Sequence, residues 1–561
     1  MSVEDFKFAR DYLLALRDNY ALAKVRFAWP KLERFNWALD WFDGELAQGD
    51  EGKRPALKIL AGDAETYSFA ELSEASSRVA NGLRALGAQR GDRLLIMLGD
   101  HAPLWIATLA AMKLGLVVIP ATPQLSGDDL DDRLARGCAR FVLAGAADAG
   151  NFADDGEEAI RIAVGAPTPP GWRDWAALTK HGAHFEPDGP TRASDPLFIY
   201  FTSGAAERPK LVVHSHASYP VGHLSTMFAL GLRPGDRHLD VSPPGWAKHA
   251  WSSFFAPWNA GACVVALAGP FEPRATLDAL AAHPIDSFCA PPTVWRQLVQ
   301  LDLGRWNVAL REVSSSGEPL NPDVIERVRR GWGLTLRDSY GQTETTMMAG
   351  NPPGAKVVLG SMGRPLPGYR LALLDVEGLE SDVGEIALPL APRPLGLTCG
   401  YQGDDGEPRP IEGDYYRTGD LASRDGEGYL TFLGRVDDVF KSSDYRLSPF
   451  ELESALLEHP AVAEAAVVPA PDAIRLAVPK AYVALAPGRA PDQAEALALF
   501  SFLRERLPPY KRVRRIEFGE LPKTLSGKIR RVDLRERERE LAEVKARAAL
   551  EFREEDFPEL E

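Results

Sequence analysis

Cysteine is scarce in this chain. Only Cys138, Cys263, Cys289 and Cys399 occur, and no two form a CxxC pair. That argues against a zinc knuckle or a disulfide framework and fits a reducing, cytoplasmic setting. An excess of basic residues is also missing. Lys and Arg number 64 against 79 Asp and Glu, a formal charge of −15, which argues against nucleic acid as a partner. No apolar run reaches the length of a membrane span. The most apolar stretch, Leu104 to Pro120, is broken by Lys113 and Gly115 and reads as a buried helix followed by a strand. The opening residues, MSVEDFKFARDYLLALRDNY, carry acids early and lack a basic region before an apolar core, so no secretory leader is expected. No internal repeat is visible.

What is present fills more than one domain. A chain of 561 residues is too long for one core. Ser68-Phe69-Ala70-Glu71 fits a capping box at the head of a helix that ends by Gly87. Strand-like runs at 93–98, 117–120 and 140–144 alternate with helical periodicity, the pattern of parallel sheets covered by helices. The aromatic stripe Phe35, Trp37, Trp41 and Phe42 reads as a helix packed on the protein body. Residues 147–195 read as an irregular connection. Short strands are expected at 369–374, 384–388 and 428–432. Beyond Gly434, a helix opening at Ser448-Pro449, strands at 463–468 and 481–485 and a helix at 493–506 suggest a small α+β domain. The residues after Arg535 read as a charged helix or a frayed tail, solvated in either case. The fold class is α/β: a large N-terminal domain of helix-covered, mostly parallel sheets with a β-subdomain, then a small C-terminal α+β domain.

Chemistry concentrates at strand ends. The stretch FIYFTSGAAERPKLVVHSH, 198–216, is a strand that stops at Thr202-Ser203-Gly204 and leads to Lys210. A hydroxyl-and-glycine turn with a placed lysine forms a phosphate cradle, although an ordinary strand-to-loop turn has the same look. It is not a Walker A loop, because Pro209 precedes the lysine. His214 and His216 follow, where packing or a hydrogen bond suffices. Strand 313–316 runs into Gly317-Glu318-Pro319. Strand 336–340 opens at Tyr340 into Gly341-Gln342-Thr343-Glu344, which puts a hard carboxylate, suited to Mg²⁺, where open α/β sheets bind ligands. Between 241 and 265, Trp246, His249 and Trp251 suit the edge of an apolar acyl pocket. Trp251 reads equally as core, and Phe255 and Trp258 read as core outright. Thr418-Gly419-Asp420 is weak as a tripeptide. No Ser-His-Asp arrangement is evident.

These segments, in this order, resemble the signatures of the adenylate-forming (AMP-binding) superfamily, most of all acetyl- and medium-chain acyl-CoA synthetases. The matches are Phe201-Thr202-Ser203-Gly204 with Pro209-Lys210, then Tyr340-Gly341-Gln342-Thr343-Glu344, Thr418-Gly419-Asp420, Gly434-Arg435 with Asp437, and Pro522-Lys523-Thr524 with Ser526-Gly527-Lys528. The resemblance implies ATP, Mg²⁺ and coenzyme A as reactants and cofactors, and a short- or medium-chain carboxylic acid as substrate. It implies phosphate contacts from Thr202 to Gly204 and Lys210, adenine packing along Gly317, Glu318 and Pro319, and nucleotide contacts from Tyr340 to Thr343. It further implies Mg²⁺ on Glu344, ribose hydroxyls on Asp420 and a nucleotide contact from Arg435, with Arg446 in the loop that follows. Asp437 would be the hinge between 1–435, holding ATP and acid, and a mobile 436–561, carrying the catalytic Lys528. A monomer or a homodimer is compatible. Two positions depart from the pattern. Ala205-Ala206-Glu207 replaces Thr-Thr-Gly, and Asp444 replaces a glycine in a loop that would border the coenzyme A tunnel. Other readings are an acyl-adenylate former with a different acceptor and a non-catalytic nucleotide-binding relative.

Overall fold

Apolar runs such as Leu94–Met97 and Phe141–Ala144 are buried along their length, as strands covered on both faces must be. The computed structural model describes residues 3–62, 64–152, 159–202, 208–403, 405–442, 445–472, 475–524 and 529–560. Among these, two nine-stranded sheets are formed. The first runs Pro408–Arg409, Gly400–Gln402, Lys210–Ser215, Pro196–Thr202, Val117–Ala121, Arg93–Met97, Phe141–Gly145, Ile160–Val164, Arg173–Asp174. It is parallel from Pro196–Thr202 onward and antiparallel before it. The second has a parallel centre, Pro55–Leu60, Cys263–Leu267, Arg237–Asp240, Ser287–Ala290, Glu312–Ser316, Arg337–Gly341, with antiparallel edges. The mostly parallel α/β architecture is the expected one.

The helices follow their local signals. Ser68 and Glu71 close the capping box of Phe69–Ala85. Ala102–Leu114 is apolar all round and almost wholly buried, and Gly115 ends it at φ +75°, a left-handed cap that glycine takes without strain. The aromatic stripe is the π-helix Trp37–Leu46. Trp37, Trp41 and Phe42 are buried, and Trp37 Nε1 donates to Asn259 Oδ1 at 2.8 Å.

Contacts divide the chain into two compact units, Met1–Leu371 with Leu388–Tyr416, and Ala372–Ala387 with Arg417–Glu561. The second unit takes most of a four-stranded sheet, Ala372–Leu374, Val383–Pro389, Tyr415–Arg424 and Leu430–Arg435. It continues through the hairpin Phe440–Ser442/Tyr445–Leu447 into an α+β core of Pro449–Leu457, Val462–Asp472, Leu476–Leu485, Gln493–Arg506 and Arg515–Phe518. Residues 436–561 all fall within this unit, which also takes in the preceding sheet.

Two segments differ from the sequence reading. Residues 147–195 are not structureless, since Ile160–Val164 and Arg173–Asp174 extend the first sheet. The tail is not merely solvated. The charged helix is there as Arg531–Glu543, but Leu534 and Glu538 on it are buried, and Glu551–Arg553 pairs with Arg515–Phe518. Lys480, fully buried, meets Glu517, Glu538 and Glu551 at 2.8, 2.6 and 2.7 Å. A largely hydrophilic tail is thus held by buried ion pairs together with a few apolar anchors, Leu534, Phe557 and Leu560.

Candidate active site

Thr202 and Lys210 are register partners in the antiparallel pair that flanks the phosphate loop. The loop's two ends are therefore side by side. Ser203, Gly204 and Ala205-Ala206-Glu207 lie outside the described residues. Arg208 reaches Asp132 at 3.3 Å. Lys210 is exposed, with Nζ 5.3 Å from the ring centre of Tyr401. Tyr401 lies on Gly400–Gln402, the neighbour of Lys210–Ser215 on its other edge. Its hydroxyl donates to Glu344 Oε1 at 3.1 Å. Burial and the adjacent Glu344 charge push the Tyr401 pKa up, so the phenol remains a donor. One tyrosine thus brings Lys210 and Glu344 together.

The turn that carries Glu344 is clamped from several sides. A Cβ at Gly341 would lie 2.4 Å from Thr346 O, a contact only glycine avoids. Gln342 N donates to Thr345 Oγ1 at 3.0 Å, and Tyr416 Oη donates to Gln342 Oε1 at 2.8 Å. Thr398 N donates to Glu344 O at 2.7 Å. His214 Nε2 donates to Thr343 O at 2.7 Å. Burial lowers the His214 pKa to about 4, so it is a neutral strut. Its hydrogen bond ties the second sheet's turn to the first sheet, and packing or bonding was the expected part. His216 is fully buried, and burial lowers its pKa to about 3.

Gly317 and Tyr340 emerge from neighbouring parallel strands, with Ser316 opposite Ser339. Gly317 has φ +102°. The Glu318 carboxylate accepts from Thr293 Oγ1 at 2.8 Å and Arg296 at 3.2 Å, and Pro319 follows. Trp246 precedes the helix Ala247–Ala250, and its buried Nε1 has no hydrogen-bond partner among the described residues. His249 Nε2 lies 3.1 Å from Asp100 Oδ1. Trp251 is 3% exposed and donates to Tyr219 Oη at 2.7 Å. Its ring edge would lie 3.0 Å from a Cβ on Gly341, so it is packed and also walls the Tyr340–Glu344 turn. Phe255 and Trp258 are core, each 0% exposed.

Sequence reasoning passed over Tyr401, Lys248 and Asp338. Lys248 Nζ contacts Asp240 Oδ1 at 2.8 Å, Ser242 Oγ at 2.9 Å and Cys289 Sγ at 3.4 Å. Asp338 is buried beside Ser339, and burial pushes its pKa well up. The available signals were a lysine one helical turn before Trp251 and an acid two residues before Tyr340. Nothing in the local sequence singles out Tyr401.

In the second unit, Asp420 and Arg435 are cross-strand partners. Arg435 donates to Asp420 Oδ1 at 3.2 Å and stands 3.7 Å from Asp437 Oδ2. Glu385 holds the turn by accepting from Gly419 N at 2.8 Å and Arg417 Nε at 2.7 Å. Asp444, Lys528 and the Arg446 side chain lie outside the described residues. Among the described residues no group of three or more His, Cys, Asp or Glu is placed to hold a metal by itself. A lone Glu344 carboxylate fits Mg²⁺ that arrives with phosphate oxygens, the usual way this ion is held. No helix among the described residues is long and apolar enough to cross a membrane.

Residues 45–388 match the family described as AMP-binding enzyme, and 451–528 match the AMP-binding enzyme C-terminal domain. The chain is 44% identical over 522 residues to 4-hydroxybutyrate–CoA ligase 1 of Metallosphaera sedula, covering 91% of this chain and 92% of that one. It is 39% identical to the human mitochondrial acyl-coenzyme A synthetase ACSM3, covering 93% and 92%. The anthranilate CoA ligase AuaEII, solved with anthranoyl-AMP, superimposes with a TM-score of 0.82 at 26% identity over 91% of this chain and 98% of that one. With one family model spanning more than half of its length and curated relatives aligned almost end to end, the chain belongs to the AMP-binding enzyme family.

Proposed function

We propose that this chain is an AMP-forming acid–CoA ligase: it activates a carboxylic acid with ATP as an acyl-adenylate, then transfers the acyl group to the thiol of coenzyme A. The observation that carries the reading is the Lys210–Tyr401–Glu344 arrangement, a cation and a carboxylate gathered at strand ends. In the first half the substrate carboxylate attacks the α-phosphorus and pyrophosphate leaves. Anions must come together, so positioned charge and orientation supply the rate. Thr202 to Gly204 and Lys210 hold the phosphates. Gly317 to Pro319 and Tyr340 to Thr343 line the nucleotide. Asp420 takes the ribose hydroxyls, with Arg435 beside it, and Lys528 offsets charge at the reacting carboxylate. Glu344 holds Mg²⁺, which when bound neutralises developing phosphate charge.

In the second half the thiol attacks the acyl carbon and AMP leaves. The small domain from residue 436 onward turns about Asp437 in this reading, with Arg446 and Asp444 near the thiol's path. The exposed pair Tyr445 and Tyr510, stacked with centroids 4.5 Å apart, fits the planar base of coenzyme A, with Lys511 within 5.6 Å of the Tyr510 ring. Trp246, His249 and Trp251 border the acid, which we place in the short- to medium-chain range of fatty acid metabolism. The four cysteines are unpaired, which supports a cytoplasmic setting.

The test is AMP release with coenzyme A from a panel running from acetate to dodecanoate plus benzoate. Acid-dependent AMP and acyl-CoA in equal amounts are expected. Pyrophosphate–ATP exchange without acyl-CoA would mean another acceptor, and no exchange with any acid would overturn the reading.

A further inference from the structure

Lys248 is a mostly buried lysine, its side chain 12% exposed, whose third ammonium proton meets a poor partner. Two of its N–H groups go to oxygens, Asp240 Oδ1 and Ser242 Oγ, and the third faces only the Cys289 sulfur at 3.4 Å. A thiol is a weak acceptor, and burial, with Asp240 nearby, raises its pKa against the opposing pull of Lys248. Burial would lower the ammonium's pKa, but the Asp240 carboxylate against it more than offsets this and keeps it charged.

The lysine lies beside the strand end proposed to receive the adenylate. Its Cδ would be 3.7 Å from a Cβ on Gly317. Trp251, one helical turn on, abuts Gly341 on the next strand. Cys289 and Ser314 are register partners, as are Asp240 and Cys289, so these side chains share one face of the sheet. By the alternation of the pleat Ser316 joins that face. Its hydroxyl is fully buried with no hydrogen-bond partner among the described residues. A donor facing sulfur and a buried hydroxyl without a partner are each costly. A ligand hydroxyl that reached either group would relieve that cost. A ligand that brought a carboxylate would place a second buried anion on an ammonium that Asp240 already neutralises.

We infer that Lys248 and Ser316 select a short carboxylic acid whose far end carries an uncharged hydroxyl, over the alkyl acid of the same length and over the dicarboxylic acid. The inference rests on the ligase reading above. Its test is pyrophosphate–ATP exchange with butanoate, 4-hydroxybutanoate and butanedioate. The expected kcat/KM for the hydroxy acid exceeds that for butanoate by roughly 10- to 100-fold, with butanedioate lowest. Replacing Lys248→Met together with Asp240→Asn removes both charges at once and should bring the hydroxy-to-alkyl ratio close to one. Ser316→Ala, a smaller change that keeps the ion pair, should lower the ratio by several-fold and reads the same property if the double variant does not fold. Butanoate used as well as 4-hydroxybutanoate, a ratio unmoved in the variants, or exchange with benzoate or dodecanoate alone would overturn this inference and leave the ligase standing. Exchange with no acid at all would overturn the ligase reading itself.

Discussion

Both compact units bury ion pairs, but only the first, among the described residues, also buries a set of neutral histidines. The first buries neutral imidazole: His214, His216, His223 and His238 are each 0% exposed. Burial lowers the pKa of His214 and His238 to about 4 and that of His216 to about 3, and holds that of His223 well below the ordinary value. The second buries paired charge. Lys480 sits among three glutamates, Arg531 holds Glu453, and Arg504 and Arg514 hold Glu554. Three largely buried lysines sharpen the contrast. Lys113 gives its protons to Asp43 Oδ2, Ser73 O and Ser77 Oγ, and Lys480 donates to Glu538 and Glu551 and stands 2.8 Å from Glu517 Oε2. Both are held by oxygen, as a purely structural ammonium must be. Lys248, beside Gly317, is left with sulfur. Of these three lysines, the one left with sulfur is the one beside the proposed site.

The largest expected effect comes from acid. A histidine whose folded pKa is depressed binds its proton only in the unfolded chain between the two values. Its stabilisation is full above the ordinary pKa of about 6.5 and is lost as pH falls toward the folded value. The first unit should lose about 1.4 kcal/mol per pH unit for each such histidine below about pH 6.5. The second unit behaves differently. Glu551 and Glu554 are buried, but their Lys and Arg partners outweigh that and hold their pKa values down, and Asp556 is held down chiefly by Arg547. Their contribution is present above the ordinary carboxylate pKa and lost only as pH falls below about 4.3. Hydrogen exchange at pH 7 and pH 5 resolves the units. Loosening of the second unit first would break the comparison.

Next is the hub itself. Lys480→Met leaves Glu517, Glu538 and Glu551, each 4% exposed or less, without their shared cation. A loss of about 3–5 kcal/mol in urea unfolding is expected, the usual effect of stripping a buried charge of its partner. Faster exchange should appear in the strand Glu551–Arg553, which Glu551 anchors. A loss below about 1 kcal/mol would mean that the tail is held by something other than these ion pairs.

Glu344→Gln separates catalysis from scaffold. Glutamine still accepts from Tyr401, so the melting temperature should stay close to that of the parent. Exchange of pyrophosphate should fall roughly 10²- to 10³-fold, the scale for removing a preorganised charge. A variant that melts earlier but turns over normally would assign Glu344 to the scaffold.

The fold was legible where the cause is local. The Ser68–Glu71 box, the Gly115 stop and the helix Gln493–Arg506 each rest on a few consecutive residues, and each stands where the sequence places it. The site was legible only in part. Thr202, Lys210, Tyr340 and Glu344 lie in contiguous motifs. Tyr401 is 57 residues from its partner Glu344 and has no motif of its own. Lys248 was read past because its meaning depends on Asp240 and Cys289, on two other strands. The tail was misjudged because RERERELAE carries almost no apolar signal, whereas Glu538 earns its burial from Lys480 and Tyr482 across the sheet.

The smallest effect should come from Arg435→Ala, and it sets the limit of the comparison. Arg435 and Asp420 are a cross-strand ion pair in the second unit, like the pairs around Lys480 in kind. They differ in exposure, since the Arg435 side chain is 40% exposed whereas Lys480 is 0%. Solvent screens an open pair, so the loss of stability should be at most about 1 kcal/mol. If Arg435 meets nucleotide as proposed, the KM for ATP should rise several-fold while urea unfolding hardly moves. A stability loss like that of Lys480→Met, with the KM unchanged, would place Arg435 with the scaffold.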